Sequence, residues 1–391
     1  MGKRNGFKGF NKDMTCLGMQ YKEGETYEIK DVRICKYGFH ACGHPTECFR
    51  HYPPHDSVYH EVVQEGTIQH DADSTKAASS LIAIKGRIGF GKIAKKAVSL
   101  IMYGAASSPI FETGQNYSVA KDSPTGEKHI VKAAGVFGIA ASTSPKSISL
   151  SESEHYSVAV STGGYSASRT EGWYGAAVST GVCGASVSDE RSSLAAVTGT
   201  FSVASAEECG SVASATGMAS AAYAKNVGGV AVATGVYSAA VADGECGAAF
   251  ASMSSVGTAN GRKGIAAATG YKGTAEAAGS MSAACATGEN STATANHAGA
   301  VAVAWGHKSS AQGATGSTLV LTEWEDENAE SPKHVRLVHV DGEKILPNIR
   351  YTLVDGEITV FNEEDDDKRT MQNMLKAGDA LPSAVKTQHI S

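Results

Sequence analysis

Large side chains are scarce in this chain. Aromatic residues make up 7% of its 391 positions, there are nine prolines and three tryptophans, and no stretch approaches the roughly 18 uninterrupted apolar residues of a membrane-spanning helix. The first scarcity excludes an ordinary core over most of the length, and the last excludes a helical membrane span. Basic charge in excess is missing too. The formal net charge is -6 and no segment carries a basic stripe, so neither nucleic acid nor a membrane surface is expected as a partner. The N-terminus MGKRNGFKGFNKDMTC is polar where a secretory signal needs an apolar run, which predicts a cytoplasmic chain. Its eight cysteines (16, 35, 42, 48, 183, 209, 246, 285) are then expected as reduced thiols, the last four as small apolar fillers.

Small residues are abundant instead. The 44 glycines fall mostly between residues 100 and 316 with Ala and Ser around them, whereas Phe, Pro and His concentrate in the first hundred residues. Thr-Gly recurs at 162, 180, 198, 216 and 234, a constant step of 18, and returns at 269 and 287 after one residue is lost. Looser copies lie halfway between, as in TGTFSVASA, EECGSVASA, TGMASAAYA and KNVGGVAVA, so the unit is a nonapeptide and one structural turn is two units. Fixed short periods of this kind mark solenoids. The fifth residue is Ser or Gly, the seventh and ninth are nearly always Ala, and the eighth varies and admits Glu276. That alternation has strand periodicity, with the uniform positions inward and the variable one outward. A mainly β chain follows, built on a β-solenoid of 18-residue coils, roughly 11 of them, with about 4.8 Å of rise each.

Other readings of the repeat fit less well. Glycine every nine residues or fewer opposes a helix at roughly 1 kcal/mol each, and disorder does not explain a phase held over seven turns. Calcium-binding β-rolls need an aspartate ladder, and the turns here are Thr-Gly, Glu-Glu, Lys-Asn and Asp-Gly. The file of Thr residues suggests an ice-binding face, but each precedes a Gly at a corner, where Thr-Gly is ordinary turn chemistry.

Composition divides the chain into an α+β head (1–104), the solenoid (105–316), an antiparallel β cap (317–362) and an acidic, loosely ordered tail (363–391). In the head, strands are expected at 25–29, 57–68 and 81–88 and helices at 45–52 and 91–105. The cap rests on three apolar-alternating runs with Val340-Asp341-Gly342 and Val354-Asp355-Gly356 as turn signals.

Chemistry-bearing residues cluster in ICKYGFHACGHPTECFRHYPPH. His40, Cys42 and His44 alternate along an extended segment and would share one face, an arrangement open to a metal; a satisfied His/Cys cluster with no metal is the alternative retained. KYGFHACGHPTECFRHY followed by VYHEV resembles a segment of ADP-ribosyltransferase-like enzymes, without their upstream His-Gly-Thr or Arg strand motif. That resemblance implies Gly38, Phe39 and Tyr52 as walls of a nicotinamide pocket and Glu61 as the carboxylate. FKGFNKDMTCLGMQYKEGETYE with YGFHAC and FRHYPP, and the closing TLVLTEWEDE and VDGEKILPNIRYTLVDGEITV, resemble an uncharacterised family of bacteriophage and prophage proteins with a Gly/Ala repeat between two modules. This implies a phage or prophage origin, in the bacterial host's cytoplasm or on the virion. The repeat is similar to the β-roll heads of trimeric autotransporter adhesins, in architecture alone.

No ordered nucleophile, base and acid set or phosphate-cradling loop stands out. A non-enzymatic structural or interaction protein without a cofactor is therefore expected, binding a protein partner or itself as a homo-oligomer. Trp173, Tyr174, Phe201, Tyr223, Tyr237, Phe250 and Tyr271 are its expected exposed anchors.

Overall fold

The computed structural model describes all residues except 1, 72–73, 90–91, 94–95, 97–99, 101–109, 114–118, 122–129, 135–137, 145–146, 327 and 363–391. The expected tail, 363–391, lies outside the described residues.

Alanine at the seventh and ninth positions decides the middle of the chain. Two parallel sheets, of 14 and 13 strands including the cap strands, run side by side and the chain alternates between them, in about ten coils of roughly 18 residues. Ala204, Ala222 and Ala240 pair in register in one sheet, and Ala213, Ala231 and Ala249 in the other. All six are at most 1% exposed. Small side chains, mostly Ala and Ser with an occasional Val or Thr, fill this thin interior, so stability rests on ladder hydrogen bonds and close packing rather than on bulky apolar groups.

The recurring Thr-Gly has a steric cause. Gly217 has φ +135°, and a Cβ placed there would lie 2.2 Å from the carbonyl oxygen of Gly199, its equivalent one coil earlier. Successive corners stack backbone on backbone, and only glycine permits it. The fifth-position serines bind these corners together: Ser220 Oγ donates to Gly199 O (2.8 Å) and accepts the N–H of Ser202 (3.3 Å). Ser238 repeats the pattern with Gly217 O at 3.0 Å and Ser220 N–H at 3.2 Å. The residue lost from the 18-step falls in a turn. Ala249 pairs with Ala266, 17 positions on, while the strands on both sides keep four residues and their register.

At the C-terminal end the two sheet edges are closed by antiparallel strands. Thr318–Glu323 pairs with His334–His339, and Tyr351–Val354 meets Ser310–Gly313 before turning through Asp355 and Gly356, both at positive φ, into Glu357–Val360. Inward alanine gives way to Leu319, Leu321 and Leu353, larger groups that fill the end of the roll. Unpaired edges invite other chains, and these hairpins cover them.

The head is a small antiparallel sheet in the order Thr26–Glu28, Lys76–Arg87, Phe39–Cys42, Gly2–Asn11, Ser57–His70. It closes on itself because Lys76–Arg87 also pairs with Ser57–His70. Helices are fewer than expected. Pro45–Arg50 and Pro54–Asp56 are 3-10 turns, each opened by a proline, and Pro53-Pro54 stops the first from continuing as an α-helix. In 91–105 the described residues Lys92, Ile93, Lys96 and Leu100 are helical. The strand Gly2–Asn11 was not foreseen, since its Lys and Gly content conceals the buried run Phe7–Phe10.

The head does not cap the rod. It lies against the flank of the 14-stranded sheet, where Phe49, Ile88 and Ile93 pack with Val203, Ala221, Tyr223 and Val241. Thr46 Oγ1 donates to Phe201 O (3.0 Å) across the junction. Burial marks the footprint. Strands 185–188, 203–206, 221–224, 239–242 and 256–259 are buried at all four positions, where an uncovered strand alternates.

Candidate functional site

Among the described residues, a cavity in the head and the uncovered face of the 13-stranded sheet are open to another molecule.

The cavity encloses about 530 Å3, a size ordinary for small-molecule sites. Gly2–Asn11 and Phe39–Cys42 form its floor, and Tyr21 and Tyr52 stand at its sides. Gly9 is required there, because a Cβ would come within 2.5 Å of Tyr52 Cβ and push the ring off the strand. Tyr52 OH donates to Cys16 Sγ at 2.8 Å. Burial pushes the Tyr21 hydroxyl up to about 12, with the nearby Cys16 a smaller cause, so it stays a neutral donor. Lys8 is 6% exposed on the same floor, its Nζ donating to His40 O (3.1 Å) and Cys16 Sγ (3.3 Å). The Phe10 and Tyr21 rings lie 5.4 and 5.7 Å from that nitrogen.

The three residues of the alternative metal reading separate. His40 and Cys42 both line the cavity, as their alternation predicts, but the strand ends at Cys42 and His44 leaves it. His44 is buried and Nδ1 meets Thr46 Oγ1 at 2.9 Å. The Thr46 proton is committed to Phe201 O, so His44 Nδ1 carries the hydrogen and Nε2 is left buried without a partner. Burial lowers its pKa to about 4, and the ring is neutral at pH 7. His40 Nε2 accepts the N–H of Cys35 at 3.0 Å. Among the described residues no three His, Cys, Asp or Glu side chains are grouped as a metal ion requires. Cys42 and Cys48 are buried free thiols in mutual contact, and their hydrogen bond raises the Cys48 pKa well above its ordinary value, with burial next.

Gly38, Phe39 and Tyr52 line the same cavity, whereas Glu61 does not. Its carboxylate meets Lys92 Nζ and Lys96 Nζ, each at 3.5 Å, on another part of the head. No carboxylate lines the cavity, so the transferase resemblance supplies no reaction step there.

The seven aromatic anchors divide into two groups. Trp173, Tyr174, Phe250 and Tyr271 are 46%, 55%, 42% and 45% exposed. Tyr174 stacks on Tyr156 at 5.4 Å, and Tyr271 carries Lys272 over its ring. Phe201, Tyr223 and Tyr237 are not exposed anchors: they lie beneath the head, and Tyr223 OH donates to Asp243 Oδ2 at 2.6 Å. Their positions face outward as expected, and the head has covered them. Glu276 on the same sheet is only half-exposed, its pKa raised by burial although Asn296 donates to it. Of the four supposed filler cysteines only Cys183 is buried; Cys246 is exposed, and Cys209 and Cys285 are intermediate.

The opposite face went unrecognised in the sequence. On the eleven strands from Ile139–Ser142 to Thr318–Glu323, two rows of side chains point away from the interior. One runs Leu194, Val212, Val230, Ala248, Ile265 and the other Ala196, Ser214, Val232, Phe250, Ala267, each continuing at both ends. Across these eleven strands neither row contains a charged residue, the next residue in register beyond them being Lys121, and every member is partly exposed or more. The signal was available: the outward positions of alternate nonapeptides never carry a charge, which a consensus over all units averages away.

Fold and sites together define a β-solenoid carrying a small closed β-sheet domain on its flank. Residues 5–96, the head, match a family described as a domain of unknown function, DUF7666. No curated protein and no solved structure matches the chain. Among the described residues no helix is long and apolar enough to cross a membrane.

Proposed function

We propose that the chain is a non-enzymatic structural protein that assembles with a second copy of itself through the uncovered face of its solenoid. The observation that carries this reading is the pair of uncharged outward rows on eleven consecutive strands. At ~4.8 Å per strand and a width of about 10 Å the rows cover roughly 500–600 Å2. That is the upper end of the size of the largest apolar patch on a soluble monomer, and such patches are often functional. Two copies would together bury about 1,000–1,200 Å2, the lower end of the range for specific interfaces. A flat surface whose rows recur at a constant spacing is complementary to itself after a two-fold rotation, and no charge on either copy opposes the contact. The resemblance of the two end modules to phage and prophage proteins supports placing this role in a phage or prophage, in the host cytoplasm or on the virion.

Light scattering of the purified full chain across a concentration series tests the reading. The native protein is expected to reach twice the chain mass, and Val232→Lys with Phe250→Lys to remain monomeric with an unchanged circular dichroism spectrum. A native chain that stays monomeric into the hundred-micromolar range removes the proposal.

A further inference from the structure

We propose that the head cavity is a binding site for a small organic anion, a carboxylate or phosphate group on an apolar or aromatic body, with Lys8 as its counter-ion. This stands apart from assembly and uses none of the residues on the uncovered face.

The inference starts from an imbalance of charge. Lys8 is 94% buried by its 6% exposure, and no carboxylate lies within ion-pairing distance of it among the described residues. A buried ammonium without a counter-ion is costly, and retained cations of this kind are normally paired. Its two hydrogen bonds, to His40 O and Cys16 Sγ, occupy two of three N–H donors. The remaining donor has no partner among the described residues.

The surroundings repeat the imbalance. Lys36, Lys76, His40 and His51 also line the cavity, and no Asp or Glu does, although the chain as a whole is acidic. Lys76 alone has an acidic partner, Asp71 at 3.5 Å, outside the lining. His40 and His51 are held below the usual histidine range, chiefly by burial and then by the neighbouring lysines, so they serve as neutral hydrogen-bonding groups. The walls beside Lys8 are Phe39, Tyr21, Tyr52 and Met19, flat or flexible apolar surfaces suited to a ring or short hydrocarbon. A ligand whose anionic end reaches Lys8 supplies the missing charge, and its body takes up the apolar space.

Saturation-transfer NMR on the full chain with benzoate, phenyl phosphate and benzamide as probes tests this. At least one anion is expected to bind, with the neutral amide about tenfold weaker or silent, the difference one charge-assisted contact makes. Benzoate alone binding assigns a carboxylate ligand, phenyl phosphate alone a phosphate, and both a site for either. Lys8→Met is expected to abolish the preference for the anions, while Lys3→Met, at an exposed lysine outside the lining, leaves it within about twofold. Should Lys8→Met fail to fold, the anion-against-amide comparison on the native chain still decides. Absence of binding by both anions, or benzamide binding as well as they do, overturns the proposal.

Discussion

The two broad faces of the solenoid are built from the same nonapeptide, yet one is covered and the other is bare. Inward positions are alike on both sheets, with Ala213 and Ala222 each at most 1% exposed. Outward positions differ. Beneath the head stand Val203, Tyr223 and Val241, at most 4% exposed, whereas Val230, Val232 and Phe250 on the other face meet solvent. Beyond the footprint, the covered sheet turns polar, with Glu276, Thr292 and Gln312 facing out. On the bare sheet the outward rows stay uncharged and mostly apolar across the eleven strands. An apolar outward row is matched by an intramolecular partner on one side, which gives physical content to the expectation of an intermolecular one on the other.

The comparison breaks most visibly by placing a charge on each face. Val241→Asp buries a carboxylate under the head with no cation to pair, and is expected to release the head or cost about 3–5 kcal/mol. Val232→Asp on the bare face should cost the monomer under about 0.5 kcal/mol. Denaturant unfolding of the two variants measures the difference, and equal losses would mean the faces are not distinct.

Acid sharpens the same contrast, because His44 sits in the junction and the bare face has no histidine or carboxylate in its rows. With a folded pKa of about 4 against 6.5 unfolded, the neutral ring is favoured in the fold. Its contribution is whole above pH 6.5, is lost as pH falls toward 4, and changes no further below that. Some 2.5 pKa units correspond to about 3 kcal/mol. Unfolding at pH 7 and pH 4.5 should show a smaller acid loss for His44→Gln than for the native chain; identical losses would place the ring elsewhere than in a dry junction.

The smallest expected effect concerns what the faces share. Ala231→Leu overfills the thin interior and should cost about 1–3 kcal/mol, with Ala213→Leu similar. A silent Ala231→Leu would reverse the inward assignment on which the outward rows depend.

The solenoid was legible in the sequence because its information is local and repeated: each Thr-Gly needs only the Gly one coil earlier to explain it. The cap was legible through Asp355-Gly356, a turn signal that carries its own backbone conformation. The head's position was not. Contact between Phe49 and Val203 joins residues more than 150 positions apart, and nothing local to Tyr223 says that its outward face will be covered. Lys8 was equally hidden, since a lysine in a polar N-terminus reads as solvated until Gly2–Asn11 is seen as a central strand. His40 and Cys42 were placed together correctly by alternation, which held for as long as the strand did. His44 lies two residues past the strand's end.

The central proposal, that the bare face is occupied by a second copy, can be read from a native probe on that face. Cys285 stands in the outward row of the sheet, between Ala267 and Val303, and Cys35 is exposed in the head. Alkylation of the two thiols, followed site by site by mass spectrometry over a range of protein concentrations, separates the bare face from the head within one molecule. Cys285 is predicted to react more slowly as concentration rises, with Cys35 unchanged and the slowing removed by Val232→Lys with Phe250→Lys. A Cys285 rate that stays independent of concentration while the chain remains monomeric would contradict the account.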